Sequence, residues 1–116
     1  MQDKPTHRTF DVLEVSLLAV ESLRPIVAKI RRSDRDLGEQ IRRALPSVVL
    51  NVAEGNDSEG GHRLSRFSTA AGSNNEARAA LRLAAAWGFT TRDEVADGQA
   101  LLDRVAAMLH RLDARR

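Results

Sequence analysis

Chemistry in this chain would be sought first at the polar residues that interrupt apolar helical stretches. Asn51 and Glu54 stand three apart within Ser47-Val48-Val49-Leu50-Asn51-Val52-Ala53-Glu54-Gly55. That spacing puts both on one helix face, close to the line of Val48 and Val52. Ser73 and Glu76 repeat it within Ala71-Gly72-Ser73-Asn74-Asn75-Glu76-Ala77. On the two arms of a hairpin, these segments would bring carboxylate, amide and hydroxyl together inside or at the edge of a bundle. Facing carboxylates can do acid–base work or hold a metal. The plainer reading, preferred here, is a buried polar network that satisfies itself and fixes helix register. A di-metal bundle needs Glu-x-x-His pairs on facing helices, and the sequence has none. His7, His62 and His110 lie near expected helix ends without ligand spacing, and cysteine is absent. Neither glycine cluster fits a phosphate loop or a dinucleotide fingerprint. No catalytic residue, metal site or cofactor is expected, and the chain is read as a non-enzyme.

The second chemical resource is arginine. Sixteen of the 18 basic residues are Arg, the side chain suited to bidentate phosphate contact. The sequence pI of about 9.9 overstates the basicity, because the formal net charge is only +2. Few groups titrate between neutrality and the arginines. The excess sits in the second half, where residues 61–116 carry nine basic and six acidic side chains against nine and ten in residues 1–60. Arg63, Arg66, Arg78 and Arg82 form one candidate nucleic-acid-binding set, and Arg31, Arg32 and Arg35 another. The alternative for each is a solvated helix face with local ion pairs, such as Arg42 with Glu39 or Arg78 near Glu76. Aromatic residues are too few for base stacking, so backbone phosphates would have to carry any affinity.

These residues must be positioned by helices. Phe10, Leu13, Leu17, Val20, Val27 and Ile30 make one apolar row, and Val12, Val15, Ala19, Leu23 and Ile26 a second, so the spacing predicts a helix over about 10–32. Pro25 is expected to kink or split it. A second helix is expected over 35–54, started by Ser33 or Asp34, striped by Leu37, Ile41, Leu45, Val48 and Val52, and kinked at Pro46. Gly55 to Gly61, with three glycines, reads as the clearest loop. A third helix over 62–87 uses Leu64, Phe67, Ala71, Leu81 and Ala84 or Ala85, with Gly88 as its natural C-cap. Thr91-Arg92-Asp93-Glu94 fits a capping box for a fourth helix over 92–113, striped by Val95, Leu102, Val105, Leu109 and Leu112. Residues 1–9 are a polar tail. Nothing alternates with period two, no internal repeat is visible, and no apolar run approaches the length of a membrane span. The class is all-α: one domain over 1–116, an antiparallel up-and-down four-helix bundle in the cytoplasm. The double apolar face of the first helix is a candidate subunit interface. Trp87 is expected to pack in the core.

The central segments resemble a known family. Asn51-x-x-Glu54-Gly55, then Phe67 and Ala71-Gly72-Ser73-x-x-Glu76, with Gln40-x-x-Arg43-Ala44 and Ser47 upstream and Leu83 to Gly88 downstream, is similar to the four-helix-bundle proteins encoded in 23S rRNA intervening sequences. That family is related to the accessory variability protein of diversity-generating retroelements. The resemblance is close over about residues 37–88 and covers the outer helices by length and pattern. It implies a small bundle that assembles as a ring-like homopentamer, with nucleic acid or a nucleic-acid enzyme as partner through a basic surface. Gln40, Arg43, Asn51, Glu54, Gly55, Gly72, Ser73 and Glu76 are the matched positions, read as structural or interface residues. Asp57 and Glu59 make the segment after Gly55 acidic, a departure that argues against nucleic-acid contact there. The function expected is a non-catalytic oligomeric scaffold or accessory protein that binds nucleic acid, or a nucleic-acid-processing partner, through arginine-bearing surfaces. A purely structural or protein-interaction oligomer is the alternative.

Overall fold

Asp11 starts the first helix. Its carboxylate accepts from the Glu14 N–H at 2.9 Å, and Glu14 accepts from the Asp11 N–H at 3.1 Å, a reciprocal cap. A computed structural model describes residues 11–114, as helices α1 (Val12–Ser33), α2 (Arg35–Asn56), α3 (Gly60–Ala86) and α4 (Arg92–Ala114). The polar tail 1–9, with His7, and Phe10 lie outside the described residues. Asp34 alone joins α1 to α2. Its backbone N–H donates to the Ile30 carbonyl at 2.8 Å, closing α1, while its carboxylate accepts from the Leu37 N–H at 3.0 Å, opening α2. The other two connections span residues 57–59 and 87–91.

Each helix runs antiparallel to its neighbours. Along α2 and α3, Gln40 meets Glu76, Ser47 meets Ser73 and Glu54 meets Arg66, one index rising as the other falls. Along α1 and α4, Lys29 meets Glu94 and the Gly98 backbone abuts Leu23. The order around the bundle is α1–α2–α3–α4 and back to α1. Among the described residues there is no strand.

Two apolar clusters fill the interior. One, toward the α1–α2 elbow, is built on Leu23, Ile30, Ile41, Leu45, Leu81 and Leu102. The other, toward residues 57–59, holds Val12, Val15, Val48, Val52, Phe67, Val105 and Leu109. All five stripe residues expected on α2 are buried, as are Val95, Leu102, Val105 and Leu109 on α4. Between the clusters lies a polar waist. Asn74, fully buried, donates from Nδ2 to the Leu102 carbonyl at 2.9 Å, and Ser47 meets Ser73 at the same level.

The helices depart from the sequence expectation at four places. Neither proline breaks its helix, because Pro25 and Pro46 both lie on the exposed side. The carbonyls deprived of a donor belong to Glu21 and Arg42, also exposed residues, where water can take over. The expected loop from Gly55 to Gly61 shrinks to residues 57–59. Gly55 is helical and buried beneath Phe67, where an added Cβ would lie 2.5 Å from the ring. That glycine permits close packing, not a turn. Gly60 instead opens α3 at φ +59. Gly88, at φ +83, stands just past the Trp87 cap and completes a paired closure of α3. Its N–H donates to Ala85 at 3.0 Å, and that of Phe89 to Ala84 at 2.9 Å. Trp87 is not in the core. It is 69% exposed and stacks on Phe89, with ring centroids 6.2 Å apart, because the turn at Gly88 carries it off the end of the apolar stripe.

Candidate functional site

The polar residues flagged in α2 and α3 meet along the seam between these helices. Gln40 Nε2 donates to Glu76 at 3.2 Å. The Ser47 and Ser73 hydroxyls lie 2.6 Å apart, and Asn51 Nδ2 donates to the Ser47 carbonyl at 2.8 Å and its hydroxyl at 3.3 Å. Glu54 pairs with Arg66 Nε at 3.0 Å. Arg43 stands outside this network, exposed and without a hydrogen bond or ion pair to a described residue. The seam is half-buried at its centre and exposed at both ends, so it lies at the bundle edge. Each carboxylate is engaged by its own partner, Glu54 by an arginine and Glu76 by an amide. The arrangement holds two helices in register. Among the described residues, no group of three or more His, Asp or Glu side chains is placed to hold a metal ion.

Asn74 gave no signal in the sequence beyond being polar in an alanine-rich helix, and it lies deepest of all. Its Oδ1 is buried without a partner among the described residues, while its Nδ2 is satisfied by α4. One unmet acceptor in low dielectric is a cost of about 1–3 kcal/mol, set against fixing the α3–α4 register.

The seven arginines flagged as phosphate contacts divide in two. Arg31 pairs with Glu39 at 2.6 Å, Arg66 with Glu54, and Arg78 with Asp103 at 2.9 Å. Arg78 therefore takes its carboxylate from α4, and along α3 it donates to Asn75 Oδ1 at 3.2 Å, beside Glu76. Arg63 donates to the Gly55 carbonyl at 3.1 Å and lies 4.7 Å over the Phe67 ring, closing the end of α2. Arg32, Arg35 and Arg82 make no hydrogen bond or ion pair with a described residue. All three lie toward the elbow end.

Charge is distributed unevenly along the length of the bundle. Residues 24–45 and 74–101, the elbow half, carry ten basic and seven acidic side chains. Residues 11–23, 46–73 and 102–114, the opposite half, carry four basic and eight acidic. Two carboxylates in the elbow half are strongly held. Glu39 is kept below the usual carboxylate range by its hydrogen bond from Arg42, with attraction from Arg31 added and desolvation opposing. Glu94 is lowered to about 2, chiefly by Lys29, then by the Thr90 hydroxyl and the Thr91 N–H. Glu94 and Thr91 exchange side-chain-to-backbone hydrogen bonds at 2.9 and 3.1 Å. This is the expected capping box, here also clasped by Lys29 at 2.8 Å.

An open groove of about 1100 Å³ runs between α3 and α4 in the elbow half. Its floor and walls include Ala79, Leu83, Ala86, Val95 and Ala96, and Arg78, Arg82 and Arg92 line it as well. Sequence reasoning missed Arg92, which only the antiparallel return of α4 brings alongside Arg82.

An all-helical antiparallel bundle with a polar seam between its central helices is the class this architecture defines. The family model for the 23S rRNA-intervening sequence protein matches residues 9–111, and the chain belongs to that family. A solved structure similar to it is described as a protein of unknown function from the S23 ribosomal protein family of Bacteroides thetaiotaomicron. The two superpose with a TM-score of 0.75 at 19% identity, over 88% of this chain and 97% of the other. No curated protein matches the chain in sequence. Among the described residues no helix is long and apolar enough to cross a membrane.

Proposed function

We propose that the protein is a non-catalytic scaffold or accessory protein of the cytoplasm. It assembles as a homopentameric ring and holds nucleic acid by phosphate contacts at the elbow end of its bundles. The observation that carries this reading is the lengthwise charge asymmetry, with Arg32, Arg35 and Arg82 at the basic end without a hydrogen-bond or ion-pair partner among the described residues. One bundle making two or three phosphate contacts binds weakly at physiological salt. In a cyclic assembly whose bundles run along the ring axis, every copy points the same way, so the basic ends gather on one face and act together on one ligand. Leu17 and Leu50 are 44% and 62% exposed on neighbouring helices, at similar levels along the bundle. They supply apolar surface for such self-association.

The test joins mass to affinity. Light scattering on a sizing column, at low and high salt, is expected to give a particle of about five chains. A short RNA duplex is expected to bind it only at low salt. Arg32→Glu with Arg35→Glu should weaken binding about tenfold or more and flatten the salt slope by about two phosphate contacts per copy. Unchanged binding removes the elbow arginines from the mechanism, and a monomer removes the ring. A protein-interaction oligomer without nucleic-acid affinity is favoured by the pairing of Arg31, Arg66 and Arg78 with carboxylates. A pentamer indifferent to RNA would establish that reading.

A further inference from the structure

We propose that the groove between α3 and α4 is a docking site for an acidic amphipathic helix of a partner protein. This goes beyond the ring and its phosphate contacts and requires neither. The apolar residues of α3 are not confined to its buried side. Leu83 is 48% exposed and Trp87 69%, one turn apart, with the exposed Ala79 and Ala86 beside them. A helix apolar on more than one side expects cover on more than one side. The bundle covers only one.

Charge complementarity selects the occupant. Three guanidinium groups, of Arg78, Arg82 and Arg92, line the groove against the single carboxylate of Asp103. Asp103 is already taken by Arg78, and neither Arg82 nor Arg92 has a partner among the described residues. The apolar floor offers nothing to a phosphate backbone but suits the leucines of a helix, and its alanines allow a helix backbone to come close. From Asn75 to Ala86 the groove runs about 17 Å, or three turns. A helix of three to four turns, apolar at i, i+3/i+4 and i+7 with carboxylates on its flanks, satisfies floor and rim together.

The probe is a labelled peptide of this design, about four turns long, compared by fluorescence anisotropy with a counterpart carrying lysines in place of glutamates. The full-length protein is expected to bind the acidic peptide and not the basic one, more weakly as salt rises, with a change in the emission of Trp87, its only tryptophan. Arg82→Glu with Arg92→Glu should weaken binding about tenfold or more, and Leu83→Asp should do so independently. Each altered side chain is exposed, so helicity by circular dichroism should be unchanged. Equal binding of both peptides, or affinity indifferent to the arginine pair, overturns the proposal. So does dissociation of the protein's own assembly by Leu83→Asp with no peptide binding, which would give the groove to a second copy. RNA binding lost with Arg82 and Arg92 while the peptide fails to bind would give it to nucleic acid. The elbow variant Arg32→Glu/Arg35→Glu should leave peptide binding intact, which separates this site from the phosphate contacts proposed at Arg32 and Arg35.

Discussion

Glycine in a helix interior usually costs about 1 kcal/mol relative to alanine, and three glycines of this protein show when that rule reverses. At Gly55 an added methyl would lie 2.5 and 2.7 Å from two atoms of the Phe67 ring, which is itself only 3% exposed. At Gly98 it would run into Leu23, fully buried on α1. At Gly72 it would meet nothing within 4 Å. Gly72→Ala is therefore expected to stabilise the bundle by up to about 1 kcal/mol. Gly55→Ala should destabilise it by about 1–2 kcal/mol, since overpacking outweighs the helical gain. Urea melts of the two variants check both signs. If Gly55→Ala proved the more stable, Phe67 would have room to move and the close packing assigned to this glycine would be wrong.

Helices dock here through a few cross-element clasps, and the one between α1 and α4 depends on pH. Glu94 is lowered to about 2 from an ordinary value near 4.5, so the folded state prefers its charged form. Such a group contributes stability above its unfolded value and loses it as pH falls through the folded one. Glu94→Gln should therefore lower the melting temperature at pH 7, by less at pH 3, and by nothing once pH is below about 2. A difference that persists undiminished in acid would show that the clasp works through packing and not charge. The Thr91–Glu94 box was legible in the sequence because capping is local chemistry, and so were the α2 and α4 stripes, because burial follows period. Lys29 was not, since its partner is 65 residues away. Asn74 was hidden for a related reason: in a helix whose apolar residues are mostly alanine, the stripe is too weak to mark which polar residue faces inward. Trp87 was misjudged because a bulky ring argues for burial only until the helix ends. Among the arginines, type was readable but pairing was not. Arg31, Arg66 and Arg78 find carboxylates on neighbouring helices.

Viewed whole, the bundle is two apolar clusters separated by a polar waist and wrapped in a charge gradient from the elbow to residues 57–59. The waist ties α2 to α3 and α3 to α4, so sliding one helix by a turn would strand Ser73 or Asn74 among aliphatic side chains, a cost of about 1–3 kcal/mol per unmet group. Uniqueness of register is what these polar residues supply. The gradient has no role in register. It gives the molecule a direction, which in a cyclic assembly with its bundles along the ring axis would become the difference between two faces. The elbow adds a constraint of another sort. With Asp34 alone closing one helix and opening the next, the chain has no slack there: a single extra residue would turn α2 by about 100° relative to α1 and present the wrong stripe to the core. The segment 57–59 is exposed or half-buried and caps α3 with no side chain, so it can lengthen at little entropic cost. An epitope tag placed between Asp57 and Ser58 should leave a cooperative thermal melt, whereas one alanine inserted after Asp34 should abolish it. Reading frame, as much as residue identity, is under physical constraint at one end of this molecule and nearly free at the other.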